Sequence, residues 1–149
     1  MGTKWLTPNE MAAWRTYIET YADLVAAIEH DLAEHDLTLG DYQVLVYLSE
    51  ADERSMRMCD LADRLQLSPS GLTRRLDGLV KAGLVTRDPS SDDRRVMLAR
   101  LTDAGYAALS SAAPGHVESV RRHIFDHLDD DQVNAMASIF SSISKGLDT

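Results

Sequence analysis

The chain of 149 residues is poor in cysteine, in long apolar stretches and in positive charge. Its single cysteine, Cys59, excludes an intrachain disulfide and a zinc site built from several cysteines. No apolar run approaches about 18 residues, the length that predicts a membrane helix. The first residues include Lys4, Glu10 and Arg15, a pattern unlike a signal peptide. We therefore expect a cytoplasmic protein with no membrane partner, no metal and no cofactor.

The net charge of −9 argues against nucleic-acid binding if the chain is taken as a whole. The charges, however, are unevenly distributed. The segment from Arg54 to Arg100 contains ten Lys and Arg against six Asp and Glu, whereas the rest contains five basic and eighteen acidic residues. Such segregation is expected when one part of a protein faces phosphates and the remainder faces solvent.

The basic segment contains the pattern of two short helices in close succession. Ser68 and Pro69 are typical of a helix start, and Gly83 is typical of a helix end. Between them, apolar residues at helical spacing predict one buried stripe made of Leu72, Leu76, Leu79 and Val80. A preceding helical pattern over Met58–Leu65 is separated from Ser68 by only two residues. Helices joined by so short a turn must cross steeply, which predicts a helix-turn-helix.

The opposite face of the second helix is short and polar, and it is cationic near its start. It carries Ser70, Arg74, Asp77 and Lys81, with Thr73 and Arg75 on its flanks. A helix with such a face fits the major groove of DNA. The planar guanidinium of Arg74 matches the two major-groove acceptors of guanine, so Arg74 is predicted to contact that base.

After Gly83, two segments of strand-forming residues flank a segment rich in turn formers. This pattern predicts a β-hairpin with Arg94 and Arg95 near its tip. A-T-rich minor grooves concentrate negative potential, so an arginine on a hairpin beside a reading helix can enter one without a unique base code. The hairpin is therefore predicted to be a DNA-binding wing.

Helical patterns also flank the basic segment. A first helix starting near Thr7 and ending near residues 34–36 would span roughly 40 Å, more than the core of a small domain requires, so a second copy of the chain is expected to cover it. Residues 51–56 are expected to be a polar connection, and Pro114 is expected to interrupt or kink the helix that follows Thr102. A last amphipathic helix is expected from about Asp129. The predicted fold is mainly α with a small β-hairpin wing: residues 1–36 and 102–149 form a helical dimerisation region, and residues 37–101 form the DNA-binding region.

The sequence resembles the multiple-antibiotic-resistance regulator (MarR) family of winged helix-turn-helix repressors over nearly its whole length. The most specific match is Asp92-Asp93-Arg94-Arg95 followed by Leu101-Thr102-Asp103-Ala104-Gly105, which looks like the family's wing signature. Residues 67–74 and 81–85 look like its recognition helix and the end of that helix. The resemblance implies a homodimer that binds pseudo-palindromic operator DNA and is released by a small anionic aromatic ligand or by oxidation.

The resemblance also assigns roles to individual residues. It implies that Arg95 enters the minor groove, that Asp93 orients Arg95, and that Arg94 meets a phosphate. The residues it places toward the groove and the phosphates on the recognition helix are Ser68, Pro69, Ser70, Thr73, Arg74 and Arg75.

Other side chains suggest how the protein could respond to signals. Four aromatic residues are candidates for an effector cleft, although aromatic residues at helical spacing are more often core or dimer interface: Trp14, Tyr17, Tyr21 and Tyr42. An oxidation sensor at Cys59 would need an exposed thiol of lowered pKa, and a buried, inert thiol is the expectation. His116, His123 and His127 would share one helix face, and polar positions near a dimer interface are favoured over a metal site.

Two other functional classes were compared with DNA binding. Catalysis is not indicated, because Ser70 has no evident histidine partner and the abundant acids lie mostly on solvated helix faces. A winged-helix dimer that binds proteins is the stronger alternative. It would have no use for arginines on both the helix and the wing, so charge reversal there separates the two classes.

Overall fold

A computed structural model describes residues 2–148 and shows a mainly α-helical chain with a small antiparallel sheet, as the sequence predicts. The elements are α1 (Pro8–Leu32), α2 (Leu39–Glu50), β1 (Ser55–Arg57), α3 (Met58–Leu65), α4 (Pro69–Lys81), β2 (Val85–Pro89), β3 (Met97–Leu101), α5 (Asp103–His123) and α6 (Asp130–Leu147). The chain divides into two compact units. The terminal unit contains Met1–Ile28 and His116–Thr149, and the central unit contains Glu29–Gly115.

The central unit is built around the leucines that the sequence pattern marked as buried. Leu72, Leu76 and Leu79 of α4 are almost completely excluded from solvent, as are Leu45 and Leu48 of α2. Burying one such side chain stabilises a fold by about 1.5–3 kcal/mol, so this stripe fixes which face of α4 points inward. The polar face of α4 is thereby directed outward.

The ends of α4 are set by the residues predicted to do so. The Ser68 hydroxyl accepts a hydrogen bond from the amide of Gly71 at 3.1 Å, and Pro69 is the first helical residue. After the helix ends, Gly83 adopts a φ of 78°, a left-handed conformation that favours glycine. The predicted boundaries of this helix are confirmed.

The hairpin predicted after Gly83 is present, but it belongs to a three-stranded sheet with the order β1-β3-β2. β2 pairs with β3 from Val85 opposite Leu101 to Pro89 opposite Met97. The prediction of a polar connection over residues 51–56 is wrong at its end, since β1 begins at Ser55 and pairs with β3. A strand of three residues is too short to show a period, and its pairing partner lies more than forty residues away.

The expectation that Pro114 interrupts its helix is also wrong. α5 runs without a break from Asp103 to His123 with Pro114 inside it. Proline removes only one backbone donor, and a long helix with buried residues on both sides of the proline, such as Leu109 and Ser119, retains the contacts that hold it.

The terminal unit includes most of α1, the end of α5, and α6. The predicted start of α1 is confirmed by a reciprocal cap, in which the Glu10 amide donates to the Thr7 hydroxyl at 3.2 Å and the Thr7 amide donates to the Glu10 carboxylate at 2.8 Å. Asp129 and Gln132 cap α6 in the same way. Among residues 2–148, no helix has both the length and the apolar character needed to cross a bilayer.

Candidate nucleic-acid interface

The start of α4 presents small hydroxyl groups that are already hydrogen bonded within the chain. Ser68 serves as the N-cap, and its Oγ lies 3.2 Å from Oγ of Ser70. The Thr73 hydroxyl donates to the carbonyl of Pro69 at 3.0 Å. All four residues are exposed. The three hydroxyls can still accept or exchange hydrogen bonds, and the small size of these residues allows another backbone to approach this turn closely.

Arg74 is an uncommitted cation on the outer face of α4. It is exposed, and within residues 2–148 it makes no hydrogen bond or ion pair. Because its five donors are uncommitted, Arg74 can form the two parallel hydrogen bonds that a guanine edge offers.

The neighbouring Arg75 is placed differently. Its Nη1 donates to Oγ1 of Thr38 at 3.0 Å and lies 3.8 Å from Oδ1 of Asp41, and about one third of its side chain is exposed. Thr38 and Asp41 form the first turn of α2. Arg75 therefore differs from the exposed residues of the predicted DNA-binding set because its guanidinium is bound within the chain, although it lines one concavity with Arg74.

The tip of the wing carries a bidentate pair. Nε of Arg95 donates to Oδ1 of Asp93 and Nη2 donates to Oδ2, each at 3.1 Å, and the Arg95 backbone amide donates to Oδ1 at 3.0 Å. The Arg95 side chain is 91% exposed. Arg94, beside it, is exposed and makes no hydrogen bond or ion pair within the described part of the chain. Asp93 thus fixes the orientation of one arginine, and Arg94 remains available to an anion.

Hydrogen bonds from the Arg95 side chain, and then from its backbone amide, hold the pKa of the Asp93 carboxyl below its ordinary value. A carboxylate with a lowered pKa keeps its pairing at neutral pH and loses it only as the pH falls through that lowered value. The Asp93 carboxyl is therefore ionised, and able to accept these hydrogen bonds, across the physiological range.

We predict that the Asp93 carboxyl carbon, followed by NMR, titrates below the ordinary Asp pKa of about 3.9 in the unaltered chain. In Arg95→Ala the midpoint should rise toward that value, because the strongest donors to the carboxylate are gone. In Arg94→Ala it should stay where it is, since Arg94 does not contact Asp93. An Asp93 titration midpoint that is the same in Arg95→Ala as in the unaltered chain would contradict the pairing.

The segment after the wing locks α5 to the end of α4. The Thr102 hydroxyl donates to the carbonyl of Gly83 at 2.7 Å and accepts from the amide of Gly105 at 2.9 Å. The Thr102 amide donates to the carbonyl of Leu84 at 3.1 Å. A Cβ on Gly105 would overlap that same carbonyl, so the position requires glycine. The Leu-Thr-x-x-Gly motif thus joins the recognition helix to the strand that returns from the wing.

The four aromatic candidates for an effector cleft are divided between the two units, three in the terminal unit and Tyr42 in the central unit. Trp14, Tyr17 and Tyr21 are exposed in the terminal unit, with successive ring centroids 6.1 and 6.0 Å apart. Tyr17 and Tyr21 line an apolar groove of about 950 Å³ that Phe140 also lines. Tyr42 lies in the central unit and is 8% exposed, because its position on α2 faces the core of that unit.

The candidates for redox or metal sensing also differ from expectation. Cys59 is exposed rather than buried, because it lies in the first turn of α3 away from the inward-facing Leu61. The expectation that the three histidines share one helix is wrong, since α5 ends at His123 and His127 lies in a separate 3₁₀ turn. His123 and His127 nevertheless line the same groove of the terminal unit. Across residues 2–148, no three His, Cys, Asp or Glu side chains cluster as metal ligands.

Two interactions near the reading face were missed by sequence reasoning. Asp77, on the outer face of α4, forms an ion pair with Arg87 of β2 at 2.9 Å. The Arg75 contacts with Thr38 and Asp41 join residues more than thirty positions apart. Neither pair has a local spacing signal in the sequence.

Comparison with known proteins identifies the family. A model of the MarR family matches residues 35–96. AbsC, a MarR family transcriptional regulator from Streptomyces coelicolor, is 39% identical, with a TM-score of 0.91 over 97% of this chain and 98% of AbsC. Sco3205, a MarR family regulator from the same organism solved in complex with DNA, is 34% identical, with a TM-score of 0.93 over 99% of this chain and 93% of Sco3205.

A third solved structure is that of CouR from Rhodococcus jostii RHA1, bound to p-coumaroyl-CoA. It is 26% identical, with a TM-score of 0.75 over 86% of this chain and 88% of CouR. The two Streptomyces proteins match nearly the entire chain, and they share both its winged helix-turn-helix and its terminal helices. On this evidence the chain belongs to the MarR family of DNA-binding transcriptional regulators and is not an enzyme.

Proposed function

We propose that the protein is a homodimeric repressor that acts in the cytoplasm and binds a pseudo-palindromic operator through two winged helix-turn-helix heads. The observation that carries this proposal is a pair of exposed arginines in the central unit, one without a partner among the described residues and one already oriented by a carboxylate. Arg74 is exposed on α4 without a partner in the described chain, and Arg95 is held outward by Asp93. These are the two kinds of cation that reading a major groove and an adjacent minor groove requires.

In this proposal the residues of the recognition helix α4 and of the wing have separate roles. Arg74 reads a guanine, and Arg94 contacts a phosphate at the wing. The exposed turn at the start of α4 lies against the DNA backbone and the groove edge. Its members are Ser68, Pro69, Ser70 and Thr73.

The dimer is supported by the apolar surface of the terminal unit. Its large exposed side chains include Trp5, Trp14, Ile139, Ile143 and Leu147, with exposed fractions from 52% to 82%. Large apolar side chains exposed in this number favour an interaction site in a protein that is otherwise rich in charge. We propose that a second copy covers it, because a two-fold axis through this unit would supply two heads to one operator.

Release by a small ligand is the third part of the proposal. The support is CouR, whose structure contains p-coumaroyl-CoA, a thioester of an aromatic acid. We propose an anionic aromatic effector for this chain as well. Tyr17 and Tyr21, which line the apolar groove of the terminal unit, are the candidate ring contacts, and Trp14 stands next to them. Tyr42, the fourth candidate, is buried in the central unit and does not line this groove.

Fluorescence anisotropy on the DNA upstream of the protein's own gene, titrated with salt, tests the central proposal. Each phosphate contact contributes roughly −0.9 to the slope of log affinity against log salt, so two working heads give a steep dependence together with preference over random DNA. A flat, weak response would instead favour the protein-binding alternative.

Two substitutions separate the proposed contact types in the same assay. Arg74→Ala should cost about 1–3 kcal/mol on the operator and relax preference at one base pair per half-site. Arg94→Ala should weaken binding to all sequences equally and reduce the salt slope, because it removes a phosphate contact. Equal loss on every sequence for Arg74→Ala would contradict its role in base reading.

A further inference from the structure

Resting on the proposed function, we propose that Arg75 makes no DNA contact and acts as a positioning residue. It anchors the recognition helix α4 to the first turn of α2 and thereby sets the direction of its neighbour Arg74. The resemblance groups both arginines with the DNA-facing residues, but the structure separates them. Arg74 has no partner within residues 2–148, whereas Arg75 has two.

The anchor uses groups that also cap α2. Oγ1 of Thr38 accepts the Asp41 amide at 3.0 Å and the Arg75 Nη1 donor at 3.0 Å. Oδ2 of Asp41 accepts the Thr38 amide at 3.1 Å, while Oδ1 of the same carboxylate lies 3.8 Å from Nη1 of Arg75. The carboxylate is thus shared, with one oxygen on the cap and the other beside the guanidinium. About one fifth of the Asp41 side chain is exposed, so the pair is better shielded than a surface ion pair.

The position of the guanidinium is defined by Gly40. A Cβ built on Gly40 would overlap three atoms of the Arg75 guanidinium, which therefore lies directly against this backbone. A cation near the N-terminus of a helix is unfavourable with respect to the helix dipole. Arg75 occupies this place because Asp41 offsets the charge and Gly40 leaves room, so both residues are part of the anchor.

The anchor bears on reading because successive residues of a helix are about 100° apart around its axis. The buried leucines already set which face of α4 points inward, and the contact of Arg75 with α2 further restricts rotation of α4 about that axis. This restriction limits the directions available to Arg74. A shallow concavity of about 380 Å³ lies beside both arginines, lined also by Asp41, Gly71 and Gly78. Loss of the anchor should therefore reduce discrimination between sequences without removing a phosphate contact.

The test compares Arg75→Met, Gly40→Ala and Arg94→Met by anisotropy on operator and random DNA over a range of salt. Arg75→Met and Gly40→Ala should each weaken operator binding by about tenfold, leaving random-DNA affinity and the salt slope unchanged. Arg94→Met, which removes the proposed phosphate contact, should reduce the slope by about 0.9 and weaken binding to both DNAs. Adding Gly40→Ala to Arg75→Met should have no further effect, because the displaced guanidinium is already absent.

Several outcomes would overturn the inference. Arg75→Met could behave as Arg94→Met does, with a smaller slope and equal loss on both DNAs, which would make Arg75 a phosphate ligand. Gly40→Ala could leave operator binding intact. Alternatively, the losses of operator affinity caused by Gly40→Ala and Arg75→Met could add fully in the double variant. Circular dichroism checks folding, and Asp41→Asn replaces Arg75→Met if that variant does not fold. An unaltered chain without operator preference would overturn the proposed function together with this inference, whereas the other outcomes leave that function standing.

Discussion

Replacing Gly105 with alanine is expected to destabilise the central unit by about 2–4 kcal/mol. Gly105 is buried, and a Cβ there would overlap the carbonyl oxygen of Leu84 and a methyl group of Leu101. The side chain of Leu101 can adjust, but the Leu84 backbone cannot do so cheaply. Its carbonyl accepts the Thr102 amide at 3.1 Å, and its own amide donates to Leu79 at 2.9 Å.

Urea unfolding followed by circular dichroism measures this effect as a lower midpoint with an unchanged slope. Gly78→Ala is the matched control. Gly78 lies inside α4, and a Cβ there meets nothing within 4 Å. Since alanine has a higher helix propensity than glycine, by about 1 kcal/mol, the control should unfold at the same or a higher urea concentration. Equal stability of Gly105→Ala and the unaltered chain would contradict the close approach of α5 to Leu84.

Introducing a charge on the apolar face of the terminal unit is expected to reduce operator affinity by about 10²–10⁴-fold through loss of the dimer. Ile143 lies on α6 and is 52% exposed, so Ile143→Asp removes little that the single chain buries. In the proposed dimer, however, it would bury an unpaired carboxylate. After the dimer dissociates, each winged helix-turn-helix head would bind its half-site independently.

Analytical ultracentrifugation and anisotropy on the operator together follow this prediction. Ser142→Asp adds the same charge to the neighbouring, exposed position of α6 and should leave both mass and affinity unchanged. A monomeric Ile143→Asp that still binds the full operator as tightly as the unaltered chain would show that two heads are not needed. A dimeric Ile143→Asp would place the interface elsewhere.

Local sequence signals sufficed for the parts of the fold that depend on neighbouring residues. Ser68, Pro69 and Gly83 bound α4 as predicted, because caps and left-handed ends are decided within one helical turn. At the wing tip, Asp93 and Arg95 form the pair that the family resemblance, and not a local signal, implied.

Features that depend on distant residues could not be predicted in this way. β1 is recognisable only beside β3, and the role of Arg75 depends on Thr38 and Asp41, which lie more than thirty residues earlier. Tyr42 lies in a helical pattern as Tyr17 and Tyr21 do, yet it is buried and they are exposed. Helix periodicity alone does not predict which of these aromatic side chains is covered by the fold. Pro114 shows the converse, since a local breaking signal was overcome by the contacts of a long helix.

The acids at the wing tip have a consequence for how the protein would find its site. Asp92 and Asp93 place negative charge next to Arg94 and Arg95, the wing arginines that we propose to contact DNA. Phosphates, which these acids repel, are present on DNA of every sequence. In the proposed complex this charge would weaken attraction to arbitrary sequence, and the hydrogen bonds from Arg95 to Asp93 would keep the arginine from following any nearby phosphate. Short stays on non-target DNA mean that more of the genome is sampled per unit time. The wing would therefore gain search speed from the same carboxylate that orients its arginine.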